Sequence, residues 1–139
     1  MPPLAPLKRR LFSLVYEALI LAALLMAATL PILLLTRSWD AAYARFALRT
    51  GLLIVCGVFY VAQWRGTGQT LPMKTWRMRL ALANGEPIGA PRATLRYLAA
   101  LASLITLGAG FLWALLDKDK QFLHDRVCGT RIFQAHATT

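Results

Sequence analysis

The chain has 139 residues, 58% of them hydrophobic and 16% charged, and its 16 lysines and arginines against 6 acids give a net charge of +10. That length holds one domain, residues 1–139, and the apolar runs that fill most of it leave no room for a separate soluble catalytic unit. A soluble protein this basic would suggest nucleic-acid binding, but here the cations flank apolar runs, so no nucleic-acid partner is expected.

The first apolar segment covers residues 11–36. Glu17 is its only charge, and the uncharged stretch from Ala18 to Thr36 approaches the roughly 20 residues that cross a ~30 Å hydrocarbon core. Lys8, Arg9 and Arg10 precede it, as in a secretory signal. A cleaved h-region is usually ~7 to 15 residues, however, and two more apolar segments follow, so the segment is expected to stay. Arg10 and Glu17, seven positions apart, project from nearly the same helix face, with the acid ~10 Å deeper. An ionisable group at mid-helix costs ~3 kcal/mol or more. Glu17 should therefore point into protein or a wet cavity, either as a proton or cation site or as an anchor tied to an arginine of the second loop.

The second segment, residues 46–64, is interrupted only by Arg49. In the loop 65–96, Gly66-Thr67-Gly68 reads as a turn, and Thr70 as the cap of a short helix that tolerates Pro72 in its first turn. Lys74 and Arg77 would share one face of it, with Leu71, Met78 and Leu82 on another. Such a basic amphipathic segment, with Arg79 beside it and Trp76 at the interface, would lie on anionic lipid headgroups. From Arg77 the pattern turns to alternation, and Asn84-Gly85 then signals a small β-hairpin.

The third segment, residues 97–116, carries no charge. Leu107-Gly108-Ala109-Gly110 can break its helix, yet glycine is common in plain membrane helices, so both a spanning and a re-entrant course stay open. The tail, 117–139, contains the β-prone Thr130-Arg131-Ile132-Phe133. That piece can pair with residues 79–83 only if both lie on one side of the membrane. Residues 135–139 are expected to fray.

The basic residues set the orientation. Lys8, Arg9 and Arg10 precede the first segment, Arg37, Arg45 and Arg49 surround the first loop, and Arg65, Lys74, Arg77, Arg79, Arg92 and Arg96 fall before the third segment. A cytoplasmic amino terminus puts the heavier load inside. With Lys118, Lys120, Arg126 and Arg131 also inside, the bias grows, so the reading adopted is a cytoplasmic tail, with a plain third span as its rival. The expected fold is thus an all-α integral membrane protein with three hydrophobic membrane segments, one short amphipathic segment and a small hairpin at the cytoplasmic face.

No catalytic or metal constellation is present in the sequence, and neither enzyme activity nor a cofactor is expected. His124 and His136 lack a third ligand of suitable spacing, and Cys56 and Cys128 read as packing residues.

Four groups of residues carry a family resemblance. They are Arg10 followed by Glu17, then Gly68-Gln69-Thr70-Leu71, then Arg92 and Arg96, and finally Leu123-His124-Asp125-Arg126 leading to Gly129-Thr130. From about Lys8 to Phe133 the chain resembles the RDD family of small bacterial membrane proteins. The resemblance makes Arg10 the family arginine and Asp125 its second aspartate, and Glu17 stands where the first aspartate is expected. Pro72 and Met73 replace the glycine and lysine usual in similar proteins. It implies a multi-pass protein of the bacterial cytoplasmic (inner) membrane that moves a small solute or monovalent cation in exchange for protons. Arg10, Glu17, His124 and Asp125 are then the candidate transport or ion-pair residues. Three segments enclose little of a pathway, so this reading requires a homo-oligomer. The alternative is a membrane accessory or scaffold that packs small-residue surfaces such as Ala22-Ala23, Ala27-Ala28 or Ala99 to Ser103 on a partner membrane protein.

Overall fold

A computed structural model describes residues 3–135; the expected fraying and His136 fall largely or wholly outside that range. Two long apolar helices, α1 (Leu7–Leu35) and α2 (Ala41–Gly66), pack on each other across a short connection. Their 29 and 26 residues give lengths of about 43 and 39 Å, enough to cross a ~30 Å core. Both begin several residues before their apolar runs, because the helix continues through the basic turn Lys8–Arg10 in α1 and starts directly after Asp40 in α2.

Beyond α2 the chain forms α3 (Leu71–Thr75), β1 (Met78–Leu82), α4 (Ala90–Ile105), α5 (Ala109–Leu116), α6 (Leu123–Cys128) and β2 (Thr130–Gln134). Thr70 caps α3, its hydroxyl oxygen accepting from the Met73 N–H at 3.4 Å, with Pro72 in the first turn. The helix ends before Arg77, whose φ of 51° is left-handed. Lys74 and Arg77 therefore do not share a helical face, and Leu71 is exposed while Met78 is fully buried.

The third apolar run is bent rather than straight. α4 and α5 meet at 94°, with Leu107 (φ 58°) and Gly108 (φ 77°) turning the chain in the left-handed region that glycine tolerates best. A Cβ on Gly110 would lie 2.1 Å from the Ser103 Oγ, so only a glycine there lets α5 fold back onto α4. Leu107 at the tip is 95% exposed.

The sheet explains where this bent pair returns. β1 and β2 pair antiparallel, with Met78 opposite Gln134 and Leu82 opposite Thr130. Residues before α1 add a further edge: the Ala5 N–H donates to the Ile132 carbonyl at 2.9 Å, and the Gln134 N–H to the Pro3 carbonyl at 2.9 Å. The amino-terminal segment, the second loop and the tail thus meet in one layer, and α4–α5 leaves that layer and comes back to it. The alternation of β1 holds over its first three residues, Met78 and Leu80 being buried and Arg79 exposed, and stops at Ala81, which is buried too. The local hairpin is not. Asn84-Gly85 makes a tight turn, with the Gly85 N–H on the Leu82 carbonyl at 2.8 Å. Pro87 then removes a ladder donor and α4 follows, so the strand partner comes from the tail instead. Met78, Leu80, Ile132, Trp64, Met73 and Phe122 form the core at this end.

Candidate functional site

α1 and α4 both pack on α2, and the three border a cavity of about 800 Å³ that is open on one side. Tyr97 holds α4 to α2: its hydroxyl donates to the Leu53 carbonyl at 2.8 Å, and its ring fills the space left by the missing side chain of Gly57. Leucines from all three helices, including Leu14, Leu21, Leu52 and Leu101, make the walls, and the polar groups gather at the end nearest the sheet.

Behind that polar floor lies Asp125, which α6 presents in its first turn. The Arg96 Nε donates to the Asp125 Oδ1 at 2.7 Å. Both side chains are buried, at 5% and 1% residue exposure, so this is a desolvated ion pair. Thr130 Oγ1, at the start of β2, lies 3.2 Å from the same carboxylate oxygen. The guanidinium of Arg96 also sits over the Trp64 ring, 4.3 Å from its centroid, a cation–π contact strengthened by exclusion of water. His124 Nε2 lies 3.9 Å from Asp125 Oδ1, and its ring is stacked on Phe122 and edged by Phe111. Burial drives the His124 pKa down to about 4, outweighing the pull of Asp125, so the imidazole is neutral at pH 7. His124 and Asp125 are therefore joined with Arg96 in one buried cluster.

Arg10 and Glu17 line the same cavity, but they form no ion pair with each other among the described residues. The Arg10 guanidinium lies 5.8 Å from the centroid of the Phe122 ring. Its Nε has no hydrogen-bond partner although the residue is only 4% exposed. Glu17 instead accepts from the Thr70 hydroxyl at 2.5 Å. The same threonine thus caps α3 and fastens it to α1. Lys74, Arg77 and Arg79 are exposed at this end of the molecule. Trp76 is half-buried, stacked on Phe12 of α1 with centroids 5.5 Å apart. Among the described residues, no three His, Cys, Asp or Glu side chains gather as a metal-binding group.

Comparison with known families matches residues 4–129 to the RDD family. The chain belongs to the RDD family. No curated relative and no solved structure matches it. The matched span of this RDD protein contains Arg10, Glu17, Arg96, His124 and Asp125. Sequence reasoning singled out four of these and passed over Arg96 as a site residue, along with Trp64 and Thr130. The available signal was Arg96 within the family resemblance itself: a buried aspartate needs a cation or donors around it, and Arg96 opens the uncharged third run.

Proposed function

We propose that this RDD-family chain is a non-enzymatic, multi-pass protein of the bacterial cytoplasmic membrane, with amino terminus and tail inside, that exchanges protons for a small solute or monovalent cation as a homo-oligomer. The observation that carries this reading is the placement of Glu17. Its carboxyl group lines a large cavity and is held by a neutral hydroxyl, with no cation in ion-pair range among the described residues. An intramembrane acid held in that way is suited to exchange a proton for a cation. Three helices do not seal the space between α1 and α4, so a second copy would complete a pathway. Lys74, Arg77 and Arg79, with Trp76 beside them, suit the anionic headgroups of the cytoplasmic leaflet. An accessory role has its own support in Ala22, Ala23 and Ala27, which are exposed on α1 as a small-residue seam for a partner helix.

In reconstituted vesicles, Glu17→Gln is expected to lower proton-linked cation flux at least tenfold while the protein stays monodisperse. Unchanged flux in that variant, or none in the wild type, overturns the transport reading and leaves the accessory role. Orientation is checked separately. With Cys56 and Cys128 replaced by alanine, single cysteines at Asn84 and Lys120 are expected to react with an impermeant reagent from one side of the membrane, and one at Ser38 from the other. Joint labelling of Lys120→Cys and Ser38→Cys would contradict the proposed topology.

A further inference from the structure

The cavity carries more donors than its own residues use. Arg10 Nε, Ser13 Oγ, Trp64 Nε1 and His124 Nδ1 are all buried without a hydrogen-bond partner, and all four residues line the cavity. Arg10, Ser13 and Trp64 each have a proton to donate. Unpaired buried donors are costly unless something accepts from them. Arg96 is already engaged by Asp125, so Arg10 is the cation left at this end of the lumen. At this end the cavity is therefore shaped for an acceptor-rich, negatively charged group.

Away from the floor the lining is mostly aliphatic, with Cys56, Tyr97 and Arg49 among the leucines and alanines. On α1 it runs from Arg10 to Leu25, a rise of about 22 Å, which exceeds the ~15 Å depth of one leaflet's hydrocarbon. Its volume lies in the ~300–1,000 Å³ range of ligand pockets, and walls of this kind do not hold ordered water. We propose that the cavity binds an anionic phospholipid, with its phosphate on Arg10 and one acyl chain laid along the leucine walls between α1, α2 and α4.

Two charges in the lining constrain the pose. Glu17 lies about 10 Å further along α1 than Arg10, so it opposes an anion at its own depth and holds the phosphate at the Arg10 level. Its carboxyl group is turned to Thr70, and a methylene chain passes it without an anionic clash. Arg49 lines the opposite end and lies beyond the reach of the headgroup. The proposal uses the cavity that the transport reading uses but does not require transport. A lipid held here would close the gap between α1 and α4 whatever the protein moves.

The test is native mass spectrometry of detergent-purified protein with phosphatidylglycerol or net-neutral phosphatidylcholine of the same acyl chains. Both lipids carry the phosphate, but the choline ammonium neutralises it in phosphatidylcholine, so the wild type is expected to retain one phosphatidylglycerol about tenfold more tightly. Arg10→Gln is expected to erase that preference, whereas Arg9→Gln, on an exposed residue, leaves it intact. Ala100→Phe, which fills the lumen from α4, is expected to abolish tight binding of both lipids and serves as the second variant should Arg10→Gln not fold. Undiminished preference in Arg10→Gln, or undiminished binding in Ala100→Phe, would overturn the site. A Glu17→Gln protein that loses flux but keeps its lipid separates this proposal from the transport reading.

Discussion

Asp125→Asn is expected to lower the melting temperature of the purified protein by about 10 °C or more, the largest loss of any single substitution at the cavity floor. The pair it breaks is desolvated on both sides, and its geometry is good, with Arg96 Nε 2.7 Å from Asp125 Oδ1. Removing one partner leaves a buried guanidinium over Trp64 with no counter-ion. Breaking such pairs costs about 3–5 kcal/mol, which for a domain of this size converts to roughly that shift. The diagnostic companion is the double variant Arg96→Met, Asp125→Leu. Apolar replacement of both partners is often close to neutral, so the double variant should recover most of the lost stability. Thermal unfolding followed by the monodisperse fraction in detergent would decide, and an Asp125→Asn protein as stable as the wild type would show that the pair contributes nothing.

Gly110→Val is expected to have the second-largest effect, because the elbow between α4 and α5 has no room for a side chain. Even the first added carbon would lie 2.1 Å from the Ser103 Oγ and 2.6 Å from its Cβ. Forcing bulk into a packed contact typically costs about 1–3 kcal/mol, and here the obstruction lies close to a helix backbone. The elbow must open, which would pull α6 and β2 out of register with β1. Ser103→Gly should rescue a smaller Gly110→Ala substitution, since the remaining obstruction is the Ser103 Cα at 3.5 Å, an ordinary contact. Protease sensitivity of the α6–β2 region measures the outcome. Equal resistance in Gly110→Val and wild type would mean that the 94° bend does not depend on this contact.

Features governed by local chemistry were legible in the sequence. The Thr70 cap, the break at Gly108 and the alternation of Met78, Leu80 and Leu82 each follow from residues within a few positions of one another. The pairing of Thr130–Phe133 with the second loop was also readable, because two β-prone pieces in a helical chain have few other partners. The ion-pair arrangement was not. Arg10 and Glu17 share a helix face by spacing alone, but Glu17 turns to Thr70 on α3, and Asp125 meets an arginine that only the return of α4–α5 brings within reach. Asn84-Gly85 misled for a related reason. The turn forms as its residues dictate, while the strand it would serve is displaced by a partner distant in sequence.

The stitch between Pro3–Ala5 and β2 joins residues almost a full chain length apart. During synthesis α1, α2 and α3 all precede Ile132 and Gln134, so the stretch before the first helix waits for its strand partner although Thr70 is already in place to hold Glu17. β2 then supplies the lock for the start of the chain, the mate for β1 and, through Thr130, a hydroxyl for Asp125. A nascent chain halted before residue 130 would carry its two long apolar helices but none of the contacts that β2 makes.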